Sequence, residues 1–448
     1  SVRDALASQA PSAPVSTVSA TLPSSETSSV AVSSKAKTKS KRRAADATVR
    51  SPEKIEQSAD TKNLKRLSVT GSRALAGAGD TAVTPDGGYK ALSSAAQRSL
   101  YALIGNSVYQ IAGTKSVQGY APVGQISLSG KLTEAQIRVT TTAYLDDHPQ
   151  VFWIANTYSY AYEGNRTILQ LYSVLTQSEC NTAIAKFNGK VQSALQAMPA
   201  GLNEFDREEY LFHVIADNCT YDDAAVKDES RWQSFTAYGA LVDGTAVCEG
   251  YSRAMLLLSA RAGLQSVLIR GSGDGVPHMW NGMRIDGSWY HLDLTWCDST
   301  RLIYNYFNID DQTLKLTHVI APAAPTLTDA QICGSSTLYN LTLPVCSSLR
   351  ANYFGVKGVA VSTLDTLGDG AVISALTPLM QARKNTLAFR IASGNYHSIV
   401  AGMVSAAPYR LSSYLRAAAG RAGVTLDEKK ISYVTDEADS GLNIFVTY

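Results

Sequence analysis

Residues 241–299 read LVDGTAVCEGYSRAMLLLSARAGLQSVLIRGSGDGVPHMWNGMRIDGSWYHLDLTWCDS. Cys248 is followed in that stretch by His278 and then Asp293. Cys, His and Asp can supply a thiol nucleophile, its base and the group that orients the base. Gly244 and Thr245 interrupt the chain, and Val247, Tyr251, Ala254, Met255, Leu258 and Ala262 then recur at helical spacing. Gly263 follows, as expected just past a helix end. The pattern predicts a helix over 246–262 with Cys248 in its first turn. Unpaired N–H groups and the positive end of the helix dipole favour a thiolate there. The backbone N–H of Cys248 is also placed to donate to an acyl oxyanion.

Val267–Arg270 predicts a short buried strand, and 271–277 a loop. Gly271, Gly273 and Gly275 precede a strand and lack the Lys-Ser/Thr tail of a phosphate loop, so the loop is read as mobile and as delivering His278. MWNGMRI (279–285) and SWYHLDLTW (288–296) predict two strands joined by Asp286-Gly287, a strong hairpin signal. A two-residue turn pairs Ile285 with Ser288, Met283 with Tyr290, Asn281 with Leu292 and Trp280 with Asp293. His278, Trp280 and Asp293 then share one face, with His278 and Asp293 diagonal neighbours at roughly 7–8 Å between Cα atoms. A three-residue turn would separate them.

GTAVCEGYSRA, PHMWNGMRIDGSWYHLDLTW and, downstream, NYFNIDD resemble the core of the transglutaminase-like superfamily in its bacterial branch. The resemblance implies a papain-like fold and a triad matching Cys248, His278 and Asp293. Met279 replaces the alanine usual between the His and the Trp. Fainter similarity runs from Gly88 to Tyr353. Papain-like enzymes often take a second oxyanion donor from a glutamine just before the cysteine, and none is present here. Tyr238 and Trp232 are the candidates in its place, with Trp280 and Tyr251 as further cleft residues. Glu249 and Arg253 are read as shaping the cleft, with a first-turn acid stabilising the helix as the equal alternative for Glu249. His291, on the same face and opposite Gly282, competes as the base, and the family pattern favours His278.

At 448 residues the chain has room for two or three domains, and its net charge of +2 gives no general pull toward nucleic acid or an anionic membrane. No run of 18 or more apolar residues is present. The sequence opens at Ser1 without a charged-then-apolar leader, so a removed signal peptide and a secreted or cell-surface location are expected. Six cysteines in this length do not make a disulfide scaffold and show no zinc spacing. Cys333 and Cys346 alone suggest a pairing.

Residues 1–87 contain no aromatic, cysteine, histidine or methionine and are rich in Ser, Ala, Thr and Pro. They are read as a disordered tether. Its basic run KAKTKSKRR (35–43) is a candidate contact for cell-wall polymer, without specific nucleic-acid recognition. Residues 88–200 predict a lobe of helices (91–112, 132–145, 179–197), a strand VFWIA and a Tyr-rich hairpin about Glu163-Gly164-Asn165. The core is assigned to 201–350, opening with a helix over 204–216. An accessory α+β domain, 351–448, reads β-α-β-α-β-β, with strands at 356–361, 386–391, 430–434 and 443–447 and helices at 370–383 and 398–422. The fold class expected is α+β, a papain-like core flanked by these segments. The chemistry expected is thiol-dependent acyl transfer on peptide or protein substrates, as a cysteine peptidase or amidase, without cofactor or metal. A protein-crosslinking transglutaminase with the same triad, or an idle surface binding module, are the alternatives.

Overall fold

A computed structural model describes residues 56–57 and 84–448 apart from 229, 300 and 335–336. The expected tether lies outside the described residues over nearly its whole length, as does KAKTKSKRR. The described chain forms two units. The larger holds the residues up to Trp296 together with His318–Cys346, and the smaller holds Cys297–Thr317 and Ser347–Tyr448.

The larger unit opens with helices α1 (Gly87–Ala91), α2 (Ala95–Ser107) and α3 (Glu134–Asp147). The single helix expected over 91–112 is instead broken at Ser93–Ser94, because Ser94 and Gln97 form a capping box that starts α2 afresh. Thr133 with Gln136 starts α3 in the same way. A hairpin follows, β1 (Ile154–Glu163) and β2 (Arg166–Ser173), closed by Gly164-Asn165 with Glu163 opposite Arg166. Only the end of VFWIA is strand, since β1 begins at Ile154. Tyr158 and Tyr160 are buried in this sheet. Helices α4 (Gln177–Gln196) and α5 (Glu204–Ala216) lead to α6 (Cys248–Arg261).

A meander follows: β3 (Gln265–Gly273), β4 (Val276–Ile285) and β5 (Ser288–Leu292). Together with β6 (His318–Ile320) these strands run in the order β5-β4-β3-β6, all neighbours antiparallel. The predicted register holds: Ile285 faces Ser288, Met283 faces Tyr290 and Asn281 faces Leu292. The expected loop over 271–277 does not form. β3 continues to Gly273, and only Asp274 and Gly275, at φ +49° and +81°, make the turn into β4. That turn repeats Asp286-Gly287, at φ +49° and +80°. Paired positive φ values twist both turns to match their strands.

Helix α6 lies against β4. Ser252 Oγ donates to the Met279 carbonyl (3.1 Å) and Asn281 Nδ2 donates to the Ser252 carbonyl (3.0 Å), so the helix carrying Cys248 is pinned to the strand carrying His278. On another side of α6, Arg270 binds Asp146 through two nitrogens (2.8 and 2.7 Å). Arg253 bridges Asp146 (3.2 Å) to Glu249 (2.8 Å). These buried charges are paired and hydrogen-bonded, the condition under which burial is tolerated. Glu249 and Arg253 thus tie α3, α6 and β3 together.

The smaller unit carries a four-stranded sheet, β7 (Val359–Val361), β8 (Thr386–Ile391), β9 (Ser432–Asp436) and β10 (Gly441–Phe445), in the order β7-β8-β10-β9. Helix α7 (Asp369–Gln381) precedes β8, and α8 (Tyr396–Val404) and α9 (Arg410–Ala422) follow it. The one helix expected over 398–422 is therefore two, parted at Pro408, which lacks the N–H a continuous helix needs. The fold is α+β with a papain-like core, as the resemblance implied. All six cysteines are free, so Cys333 and Cys346 do not pair. No helix among the described residues is long and apolar enough to cross a membrane.

Candidate active site

Cys248 is the first residue of α6, and the cap position before it is Val247, which gives no side-chain cap. The first-turn N–H groups are thus not spent on a side-chain acceptor. The approach to the helix is held by backbone bonds. Thr220–Tyr221 pairs in parallel with Thr245–Ala246, and Val247 N–H donates to the Ser234 carbonyl (2.9 Å).

His278 lies on β4 and Asp293 just beyond the end of β5. Nε2 of His278 donates to Oδ2 of Asp293 at 2.7 Å. Nδ1, the other ring nitrogen, has no oxygen or nitrogen partner, and the charge and hydrogen bond of Cys248 act on the same ring. Burial alone would lower the pKa of His278. The charge and hydrogen bond of Asp293, with the contribution of Cys248, outweigh it and push the imidazole up to about 10. Burial would likewise raise Asp293, but the charge and hydrogen bond of His278 and the hydrogen bond of His318 hold its carboxyl well below the usual carboxylate range.

This pair has a consequence for stability. A histidine raised from 6.5 to about 10 on folding stabilises fully below pH 6.5 and loses that contribution as pH rises through about 10. Urea unfolding between those values should show up to one proton's slope, about 1.4 kcal/mol per pH unit, that the His278→Gln chain lacks. Equal slopes in the two proteins would refute the ion pair.

Aromatic rings enclose His278. Trp280 stacks beside it (5.9 Å between centroids, 25°), Trp296 lies at 5.7 Å and His318 at 5.5 Å. Trp280 Nε1 donates to Nδ1 of His291 (3.1 Å), so His291 anchors the tryptophan. These rings cross β3 at Gly271 and Gly273. A Cβ at Gly273 would stand 2.7 Å from the Trp296 ring and 3.4 Å from the His278 ring. Gly273→Ala is expected to cost about 1–3 kcal/mol by overpacking against the Trp296 ring. Gly189→Ala, on α4 with nothing within 4 Å of its Cβ, is the control in urea melts. Equal effects would contradict the crossing.

Of the other expected site residues, Trp280 is in the ring cluster and Tyr251 is buried on α6. Trp232 and Tyr238 pack with Phe152, at 6.2 and 4.7 Å, and with each other at 5.9 Å. Tyr238 also stacks on Phe187 at 6.3 Å. Their ring contacts belong to that aromatic cluster. Trp296 and His318 were missed by sequence reading. Trp296 N–H donates to Oδ1 of Asp293 (3.1 Å), and Nε2 of His318 donates to Oδ2 (3.1 Å). His278, Asp293 and His318 present nitrogen and oxygen atoms within 4.8 Å of one another. In the structure these atoms are joined by the hydrogen bonds from His278 and His318 to Asp293.

Cys248, His278 and Asp293 are 0 %, 1 % and 1 % exposed. A thiol, an imidazole and a carboxylate thus come together in a closed, low-dielectric site.

The sequence model of the Transglutaminase-like superfamily matches residues 193–294, a span containing Cys248, His278 and Asp293. A search of curated proteins returns no match. Among solved structures, a chain described as "Crystal structure of a TGase" is similar at 16% identity with a TM-score of 0.23, over 38% of this chain and 50% of that chain. The matched region therefore spans half the length of that protein. Residues 193–294 of this chain are thus a transglutaminase-like domain.

Proposed function

We propose that the chain is a cysteine peptidase or amidase that cleaves peptide or protein substrates through a thioester on Cys248. The observation that carries this reading is the 2.7 Å bond from His278 Nε2 to Asp293, which leaves Nδ1 for the thiol. That superfamily's members are usually enzymes, which supports catalysis over an idle binding module.

Protonated His278 supplies the counter-charge for a Cys248 thiolate. The sulfur attacks the substrate carbonyl carbon, a C–S bond forms, and the oxyanion is met by first-turn N–H groups of α6. As the C–N bond breaks, His278 gives its Nδ1 proton to the departing amine. His278, now neutral, takes a proton from water as its oxygen attacks the thioester. The C–S bond breaks, the acid leaves and the thiolate–imidazolium pair is restored. Asp293 keeps the proton on Nε2 throughout, so that Nδ1 is the nitrogen that exchanges it.

Incubating the purified chain with casein and a fluorescent amine tests this. Shortened, unlabelled casein fragments are expected. Fluorescent casein of full length would replace hydrolysis by transamidation, and unchanged casein over a panel of protein substrates would refute acyl transfer.

A further inference from the structure

We propose that His318 is a positioning residue of this site, holding Asp293 against His278 through a second imidazole–carboxylate hydrogen bond. The inference rests on the acyl-transfer reading above. β6 pairs with β3 so that His318 faces Gly273 and Ile320 faces Gly271, while across the same strand His278 also faces Gly271. The glycines put no side chain between the two histidine-bearing strands. His318 therefore reaches Asp293 from the side opposite β4.

A buried histidine bound to any acceptor would be a packing feature. Here the acceptor is Oδ2 of Asp293, the oxygen already bound to His278: 2.7 Å from one ring nitrogen and 3.1 Å from the other. Oδ1 takes the Trp296 N–H at 3.1 Å. Three donors from three separate segments leave the carboxylate no free rotation. The charged and titratable groups facing His318 are Asp293, His278 on β4 and Asp274 in the turn, and the rings of Trp296 and Trp280 lie at 4.4 and 5.0 Å. His318 is 0 % exposed, and burial lowers its pKa against the pull of Asp293. The network is then one imidazolium, one carboxylate and one neutral donor. Sharing Oδ2 between two donors spreads its charge, which moderates the basicity of His278 and keeps it able to release its proton to a leaving amine.

The rate of Cys248 alkylation by iodoacetamide, followed against pH on the full chain and located by mass spectrometry, reads this without a substrate. His318→Phe fills the space without a donor and is expected to raise the alkaline midpoint assigned to His278 by about one pH unit. Casein cleavage is expected to slow by about tenfold. His318→Gln places an amide N–H where Nε2 stood and is expected to keep the wild-type midpoint. A folded Phe variant with an unmoved midpoint, or a Gln variant shifted as far as Phe, overturns the proposal. Should the Phe variant not fold, spectra of the unsubstituted chain carrying 15N-histidine decide: a neutral, Nε2-protonated His318 on both sides of pH 6.5 supports it, and a charged or Nδ1-protonated ring overturns it. If casein stays intact while the Phe variant moves the midpoint, the acyl-transfer reading fails and the positioning of Asp293 stands.

Discussion

Cys248→Ala is expected to abolish turnover, a loss of about 10⁴-fold or more, because the proposed thioester cannot form without the sulfur. The chain should stay folded. The substitution removes one buried sulfur from the tip of α6, a cavity cost of about 1 kcal/mol, while the Ser252 and Asn281 bonds that seat the helix on β4 remain. Cys180→Ala is the matched control. Cys180 is also 0 % exposed, and burial pushes its thiol far up, so its loss should leave casein cleavage unchanged. Circular dichroism and cleavage rates on both variants check the pair. Equal activity in the two would remove Cys248 from the chemistry.

Asp293→Ala should cost both activity and fold. Its carboxylate accepts from His278, His318 and the Trp296 N–H, and at 1 % exposure no bulk water replaces it. Removing one partner of a buried ion pair costs about 3–5 kcal/mol, since the remaining charge is stranded. His278 would respond by shedding its proton, its pKa falling from about 10 toward the value burial favours. Asp293→Asn keeps the volume and isolates catalysis: an amide orients the imidazole wrongly, for a loss of about 10⁴ in turnover. Urea midpoints for the Ala variant and cleavage rates for the Asn variant check these outcomes. Wild-type stability in Asp293→Ala would mean that the buried pair contributes nothing.

The parts of this fold written in short-range signals were legible. Asp286-Gly287 fixed a two-residue turn, and that turn fixed every pairing from Ile285–Ser288 outward. A helix with Cys248 in its first turn, expected from 246 and starting at Cys248, and the helix over 204–216 followed from apolar spacing and punctuation. Two misreadings had local signals that apolar periodicity overrode: Ser94 with Gln97, a capping box, and Pro408 inside a supposed helix. The stretch at 271–275 is different. Its glycines look like loop residues, yet Gly271 and Gly273 belong to a strand because rings from other segments lie across them. That demand is tertiary and leaves no trace in the neighbouring sequence. His318 was hidden for the same reason. THVIAP reads as a short edge strand ended by Pro322, but its register against Gly273 is set by a pairing 45 residues away along the chain.

In the proposed mechanism a buried thiol is made reactive by the imidazole beside it. Five of the six cysteines are buried, Cys248 among them, so burial alone cannot rank them. Limited iodoacetamide treatment followed by peptide mass mapping gives the most direct reading. Cys248 is expected to be modified well ahead of the equally buried Cys180, and His278→Ala to bring it back to the rate of Cys180. Cys248 reacting no faster than Cys180 in the unsubstituted chain would contradict it.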